Sequence, residues 1–289
     1  MRDAKITAGA GGAKTHSLAH VVATLNYLDK SETAPKSHIE PPETGVEPRR
    51  PERSSHDMPI FDIRPVADEI DLDAEGFALI RHDSAVGDFY DEDEVRRVYY
   101  REVEALVRAA TGAAKVVVFD HNVRNMSRAE AGEAKTRRPV DYVHNDYTET
   151  SGPRRVRDLL DPAEADALLR HRFAVINVWR PIRGPVQDKP LAVLDARSMG
   201  PNDFVATDLV YRDRTGEIYS VHHRPTHRWY YVSEMRPDEA LLLKCYDSAT
   251  DGRARFTAHS AFSNPSAPAD AAPRESIEAR TLVFFPPEE

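Results

Sequence analysis

From residue 173 onward, apolar residues fall in short runs separated by turn-forming residues, at a spacing of roughly one run every 10–15 residues. The strongest run is Phe173–Arg180, ended by Pro181, Gly184 and Pro185. Further strand-like runs follow at 191–195, 203–211, 218–223, 229–233 and 240–246. Upstream, 60–63, 75–82 and 115–121 have apolar centres and read as strands as well. Two segments have helical character. Asp91 is an N-cap followed by an acidic turn and by Val95, Tyr99, Val103, Leu106 and Val107 at helical spacing, with an end near Thr111-Gly112. Asp161-Pro162 places an N-cap before a proline at the first helical position, and that helix runs to about Leu169. The pattern predicts a mainly β chain with flanking helices, folded as an antiparallel sandwich of the cupin-like jelly-roll kind, a double-stranded β-helix.

The N-terminal part is less regular. Residues 1 to about 15 are small and polar and read as a tail with little to bury. Val21, Val22, Leu25 and Leu28 lie at helical spacing and predict a helix over 17–28. Residues 30–58 are rich in Pro, Glu and Arg and read as a surface excursion. The expected division is therefore an N-terminal tail and extension, 1–58, and a jelly-roll domain, 59–289. The charged, Ala-rich 124–138 segment reads as a loop; it and 30–58 are the two candidate lids.

Within this frame, Tyr142-Val143-His144-Asn145-Asp146 puts an imidazole and a carboxylate at i and i+2 of an extended segment, on one face. Those are two of the three ligands of a 2-His-1-carboxylate iron site. The third candidate is His259, in the alternating run Arg255–Phe262. A proline-containing stretch, 263–273, then leads into Arg274–Phe285, whose alternation sets Arg274, Ser276, Glu278 and Arg280 on one face. A guanidinium with a hydroxyl two residues on is suited to hold a carboxylate. Arg280 is the rival for that role, about 20 Å further along the strand. His222, His223 and His227 compete with His259 as ligands, although adjacent strand residues face opposite ways, so at most one of His222 and His223 points inward. Asn177 and Trp179 share a face of the strongest strand and are candidate pocket residues, and Tyr142 shares the face of His144.

His144-x-Asp146, His259 and Arg274-x-Ser276 together resemble the motif of Fe(II)/2-oxoglutarate-dependent oxygenases. Longer phrases are similar to a hydroxylase/desaturase group of secondary-metabolite pathways that includes gibberellin-desaturase-like proteins, cephalosporin methoxylation components and fungal meroterpenoid oxygenases. These phrases are 143–148, 151–155, 176–182, 190–192, 242–248 and the Arg274 strand, so they span most of the chain from about residue 60. The resemblance implies iron held by His144, Asp146 and His259. It implies 2-oxoglutarate held at its far carboxylate by Arg274 and Ser276; by their strand faces, Tyr142 and Asn177 are further candidate cofactor-binding residues, Tyr142 toward co-substrate or substrate and Asn177 in the pocket lining. It also implies O2 as the second co-substrate, and hydroxylation, desaturation or ring formation on a small molecule. An N-terminal extended segment, as an alternative to the helix over 17–28, comes from the same resemblance. A cupin-like binding protein with a vestigial site is the alternative function. A zinc hydrolase using the same ligands gains nothing from the Arg-x-Ser pair.

Composition narrows the class. Lys and Arg number 39 against 48 Asp and Glu, a net charge of −9, which argues against a general nucleic-acid binder. The single cysteine, Cys245, lies in an apolar strand-like run, fits a buried thiol, and points to a reducing, cytoplasmic setting. No apolar run has the length of a membrane span. The expected partner is a small-molecule substrate, with no nucleic acid and no membrane, and a homodimer is the candidate assembly.

Overall fold

The computed structural model describes residues 18–39, 49–133, 136–200 and 202–287. The expected polar tail, residues 1–15, lies outside them. Among these residues, fifteen strands form two sheets. The larger is built from β1 (His20–Leu28), β2 (Lys36–His38), β3 (Arg53–Asp62), β7 (His144–Asn145), β9 (Leu191–Leu194), β10 (Phe204–Val210), β11 (Thr215–Val221), β12 (Trp229–Tyr231) and β14 (His259–Ala261). Their spatial order is β1-β3-β12-β9-β14-β7-β11-β10-β2. The smaller has the order β4-β13-β8-β15-β5-β6, made of β4 (Phe77–Arg81), β5 (Lys115–Asn125), β6 (Thr136–Arg137), β8 (Phe173–Arg183), β13 (Glu239–Asp247) and β15 (Glu275–Phe284). The helices are α1 (Glu92–Glu94), α2 (Tyr100–Thr111), α3 (Met126–Glu130), α4 (Ser151–Leu159) and α5 (Pro162–Leu168). This is the jelly-roll architecture that the strand spacing predicts.

Period-2 patterning decides which side of each sheet is covered. In β8, Val175 and Trp179 enter the core between the sheets, together with Leu191, Val193 and Leu243. Ala174, Ile176 and Val178 face the other way and pack, with Ile277 and Ala279 of β15, beneath the apolar stripe Val103, Leu106 and Val107 of α2. Both faces of β8 are therefore apolar, which is why it is the least interrupted run in the sequence. Asp91 caps the helical segment that precedes α2, accepting from the Asp93 and Glu94 amides, and Gly112 in the left-handed region (φ 71°) ends it. A π-helical turn, Val95–Tyr99, lies between α1 and α2.

The N-terminal segment is a strand, not the helix that its spacing predicts. β1 pairs with β3 along its whole length, from His20 opposite Phe61 to Leu28 opposite Arg53. Ala23, Leu25 and Tyr27 point inward with period 2, and Val22 of the supposed helical stripe is 56% exposed. Tertiary pairing overrides a spacing compatible with both periods. β3 runs across the expected 58/59 boundary, and Met58 and Ile60 join Leu25 and Tyr27 in a third core with Trp229 and Phe262. Bridges from Asn26 to Tyr142 and from Leu28 to His222 tie β1 to the far side of its own sheet, which curls around that core. The 124–138 segment is likewise more structured than a loop. It holds the end of β5, then α3 capped by Asn125, then β6.

Against the β1–β3 pair the rings of His56 and His223 stack with centroids 3.7 Å apart and planes 4° from parallel. Tyr27 lies edge-on to both. Burial first, then the neighbouring His56, His227 and Lys30, lowers the His223 pKa below its ordinary value of 6.5. The folded state therefore binds fewer protons than the unfolded state in the window just under 6.5, so this group's contribution is present above that pH and is lost as pH falls. The melting temperature should fall between about pH 7.5 and about pH 5.5, and His223→Gln should make that fall shallower. Thermal melts across the range test this; parallel slopes for the two proteins would count against it.

Candidate metal and co-substrate site

β7 and β14 are neighbours, and His144 pairs directly with His259 across them. With Asp146 they form a group whose ligand atoms all lie within 4.8 Å of one another. The orientation of each imidazole is set from behind. His144 Nδ1 lies 2.9 Å from the Tyr142 carbonyl, and His259 Nδ1 lies 3.1 Å from the Thr257 carbonyl. A carbonyl only accepts, so each Nδ1 carries the proton and each Nε2 keeps its lone pair for a metal. The motive for Thr257 lies further back. Its hydroxyl donates to the Gly76 carbonyl (2.7 Å), and its amide donates to Asn145 Oδ1 (3.2 Å). Gly76 has φ +90°, and a Cβ there would fall on the Thr257 hydroxyl, so glycine is required twice over.

Asp146 presents one oxygen to the ligand cluster, with Oδ1 3.5 Å from His144 Nε2. Its other oxygen is held by Asn177 Nδ2 at 2.8 Å and faces Arg280 Nε at 3.5 Å. Burial raises its pKa, but His144, Arg280 and His259 outweigh that and hold it well below the usual carboxylate range. Burial, with His144 alongside, lowers the His259 pKa and favours its neutral form. Two imidazoles and one carboxylate whose ligand atoms lie within 4.8 Å of one another fit a divalent iron site.

The second part of the site is a buried cation that no carboxylate hydrogen-bonds among the described residues, although Glu278 and Asp188 act on it from further away. Arg274 is 4% exposed and lies over the Trp179 ring, its Cζ 5.5 Å from the ring centroid. One of its N–H groups donates to the Lys189 carbonyl at 2.6 Å, while its Nε is buried with no partner. The Ser276 hydroxyl, two residues along the same face, is also buried and unpartnered. Burial, then the nearby Arg124, pulls the Arg274 pKa down to about 9. An orphaned donor pair beside a desolvated guanidinium is a cradle that a carboxylate would satisfy. The residues present therefore fit both iron and a dicarboxylate.

The structure separates the other candidates. Arg280 forms an ion pair with Asp120 at 3.1 Å and faces Asp146 with its Nε at 3.5 Å, an Nε that has no hydrogen bond, so it lies beside the ligand group rather than beside Arg274. Asn177 uses its amide N–H on Asp146, so it supports a metal ligand instead of meeting a co-substrate through that group. Tyr142 lies 5.0 Å from the His144 ring, with Arg53 stacked 3.5 Å from its centroid. His227 is buried against Asp203 at 3.1 Å and His223 stacks on His56, so neither enters the ligand group. Cys245 is buried, as its apolar run suggests. The bracing of Asp146 by Arg280 and Asp120 and the stacking of Trp179 on Arg274 have no local sequence signal beyond the shared face of alternating residues.

A family model described as an oxidoreductase/YMDC permease-like domain matches residues 25–284. The hydroxylase/desaturase efuI of Hormonema carpetanum is 36% identical over 93% of this chain and 96% of its own length. The Fe(II)/2-oxoglutarate-dependent dioxygenase nvfI of Aspergillus novofumigatus is 35% identical over 79% of this chain and 83% of its own. Among solved structures, the iron and alpha-ketoglutarate-dependent endoperoxidase NvfI matches with a TM-score of 0.83 at 30% identity, covering 92% of this chain and 98% of that one. None of the described helices is long and apolar enough to cross a membrane.

Replacing His144, Asp146 or His259 by Ala should each abolish retention of Fe(II), whereas His227→Ala should retain it. Asn177→Ala should weaken metal affinity by about 10–100-fold, because a carboxylate ligand loses its outer support. Anaerobic titration with Mn(II) or Fe(II) measures both, and a normal affinity in His259→Ala would remove it from the ligand set.

Proposed function

The chain belongs to the Fe(II)/2-oxoglutarate-dependent oxygenases of the hydroxylase/desaturase group, and from that premise we propose that His144, Asp146 and His259 hold its iron while Arg274 and Ser276 hold the far carboxylate of 2-oxoglutarate. The protein is an oxidoreductase that acts on a small molecule, with Fe(II), 2-oxoglutarate and O2 as its cofactor and co-substrates. The observation that carries the co-substrate assignment is the pair of unpartnered, buried donors, Arg274 Nε and Ser276 Oγ, on one inner strand face. The bound iron, 2-oxoglutarate and O2 supply the oxidising power to remove a substrate hydrogen atom, with release of succinate and CO2.

The chain's own residues bind and orient. His144, His259 and Asp146 would hold the metal through two imidazole nitrogens and one carboxylate oxygen. Arg274 anchors the co-substrate at the end remote from the metal, and Trp179 holds the guanidinium plane. Burial of that cradle keeps water from competing for the carboxylate, so the charge-assisted contact is worth more than at a surface. The reaction outcome is hydroxylation, desaturation or ring formation on a specialised metabolite. A vestigial binding protein would have no use for a complete ligand set together with an unfilled anion cradle. The proposed setting is the cytoplasm, which suits the single buried thiol of Cys245.

Arg274→Lys should raise the KM for 2-oxoglutarate by about ten-fold or more, because an ammonium cannot reproduce the planar fork. Mn(II) affinity should stay within about two-fold, since Arg274 is not a ligand. Arg280→Lys should show the reverse pattern, weakening metal affinity more than it shifts that KM. Saturation curves in 2-oxoglutarate with parallel metal titrations decide between them; a large KM shift in Arg280→Lys alone would reassign the clamp.

A further inference from the structure

Arg274 is not the only desolvated guanidinium at the cradle. β5 and β15 are antiparallel neighbours, and their register sets Arg124 directly opposite Ser276, Asn122 opposite Glu278 and Asp120 opposite Arg280. Directly opposed residues share a face, with Cβ atoms about 5 Å apart. Arg124 therefore emerges beside the unpartnered Ser276 hydroxyl, on the strand next to the one that leads in from Arg274.

The Arg124 guanidinium makes one hydrogen bond among the described residues, from Nη1 to the Arg138 carbonyl at 2.9 Å. Among the described residues no carboxylate forms an ion pair with Arg124 or with Arg274; their bonds are to main-chain carbonyls. Glu278, the next inward residue after Ser276, makes its ion pair with Arg280 Nε, at 3.7 Å. Two guanidiniums thus flank one free hydroxyl, and Glu278, which acts electrostatically on both, is ion-paired instead with Arg280. That arrangement is repulsive on its own and favourable with a carboxylate in the middle. Burial lowers the Arg124 pKa against the pull of Glu278, and burial with Arg124 lowers that of Arg274 against Glu278 and Asp188.

We propose that Arg124 is a second co-substrate-recognition residue, forming with Arg274 and Ser276 a two-arginine cradle that selects a 2-oxo dicarboxylate over a 2-oxo monocarboxylate. The proposal rests on the assignment of Arg274 and Ser276 as the far-carboxylate site. One guanidinium can hold a carboxylate, so the second adds discrimination. A ligand lacking the far carboxylate leaves the buried Arg274 and the half-buried Arg124 without a bidentate partner, a larger penalty than leaving one.

Calorimetric titration of the Mn(II)-loaded protein with 2-oxoglutarate and with 2-oxopentanoate, which has the same chain length and no far carboxylate, tests this without turnover. Arg124→Gln should weaken 2-oxoglutarate binding by about ten-fold or more and narrow its preference over 2-oxopentanoate, with Mn(II) affinity within about two-fold of the parent. Arg124→Lys keeps the charge and loses the fork. It should fold if the glutamine variant does not, and should weaken 2-oxoglutarate binding by several-fold. Unchanged 2-oxoglutarate affinity in folded Arg124→Gln or Arg124→Lys, alongside a weakened Arg274→Lys, would overturn this inference and leave the Arg274 clamp standing. Unchanged affinity in the Arg274 and Arg124 variants alike would overturn the clamp as well.

Discussion

The site depends on the side chain of Asn145, which never faces the metal. It is fully buried, and its amide donates to the carbonyls of Tyr147 (2.7 Å) and Cys245 (2.8 Å) while its oxygen accepts from the Thr257 amide (3.2 Å). One carboxamide thus links the strand that carries His144 to the approach of the strand that carries His259, and joins both to the opposite sheet through β13. β7 is only two residues long and β14 only three, too short for ladder hydrogen bonds alone to fix two imidazoles. A buried amide with three satisfied bonds has one acceptable orientation, because any other leaves polar groups unpaired in a low-dielectric interior. The alternation that sends His144 and Asp146 toward the metal sends Asn145 to this junction.

From that junction outward, the inner face of β15 divides its polar residues by partner. Arg280, opposite Asn177 and Asp120, serves Asp146 from outside. Arg274, six residues back along the same strand, has only a carbonyl partner and an aromatic face. Chemically the two arginines are identical. Proximity to Asp120 and Asp146 makes one a brace, and the other has no carboxylate in hydrogen-bond contact among the described residues. Glu278 between them keeps the inner face from accumulating an unopposed run of positive charge.

The N-terminal strands contribute to this arrangement more than their composition suggests. β1 and β3 form one end of the larger sheet, and Asn26 pairs with Tyr142, donating also to the Asp141 carbonyl at 2.8 Å. Tyr142 supplies the carbonyl that fixes His144. The extension is therefore one backbone step from a metal ligand. The agreement with NvfI over 92% of the chain at 30% identity fits a scaffold in which these strands belong to the fold.

What the sequence determined by itself is the chemistry that local spacing encodes. His144 and Asp146 share a face because strand periodicity is two. The Arg274-x-Ser276 pair follows from the same rule, and the uninterrupted apolar run of β8 marked a strand buried on both faces. Asp91 and Asp161 marked helix starts because capping is a contact within four residues. Tertiary structure alone decided what depends on contacts distant in the chain. Residues 20–28 could meet either period, and only pairing with β3 made them a strand. Arg274 and Arg280 were equivalent by alternation until Asp120 and Asp146 arrived from other strands. Arg124, 150 positions before Arg274, became its neighbour only through the register of β5 on β15. Electrostatic partners are chosen by distance in space, and a linear sequence carries that distance only over a few residues.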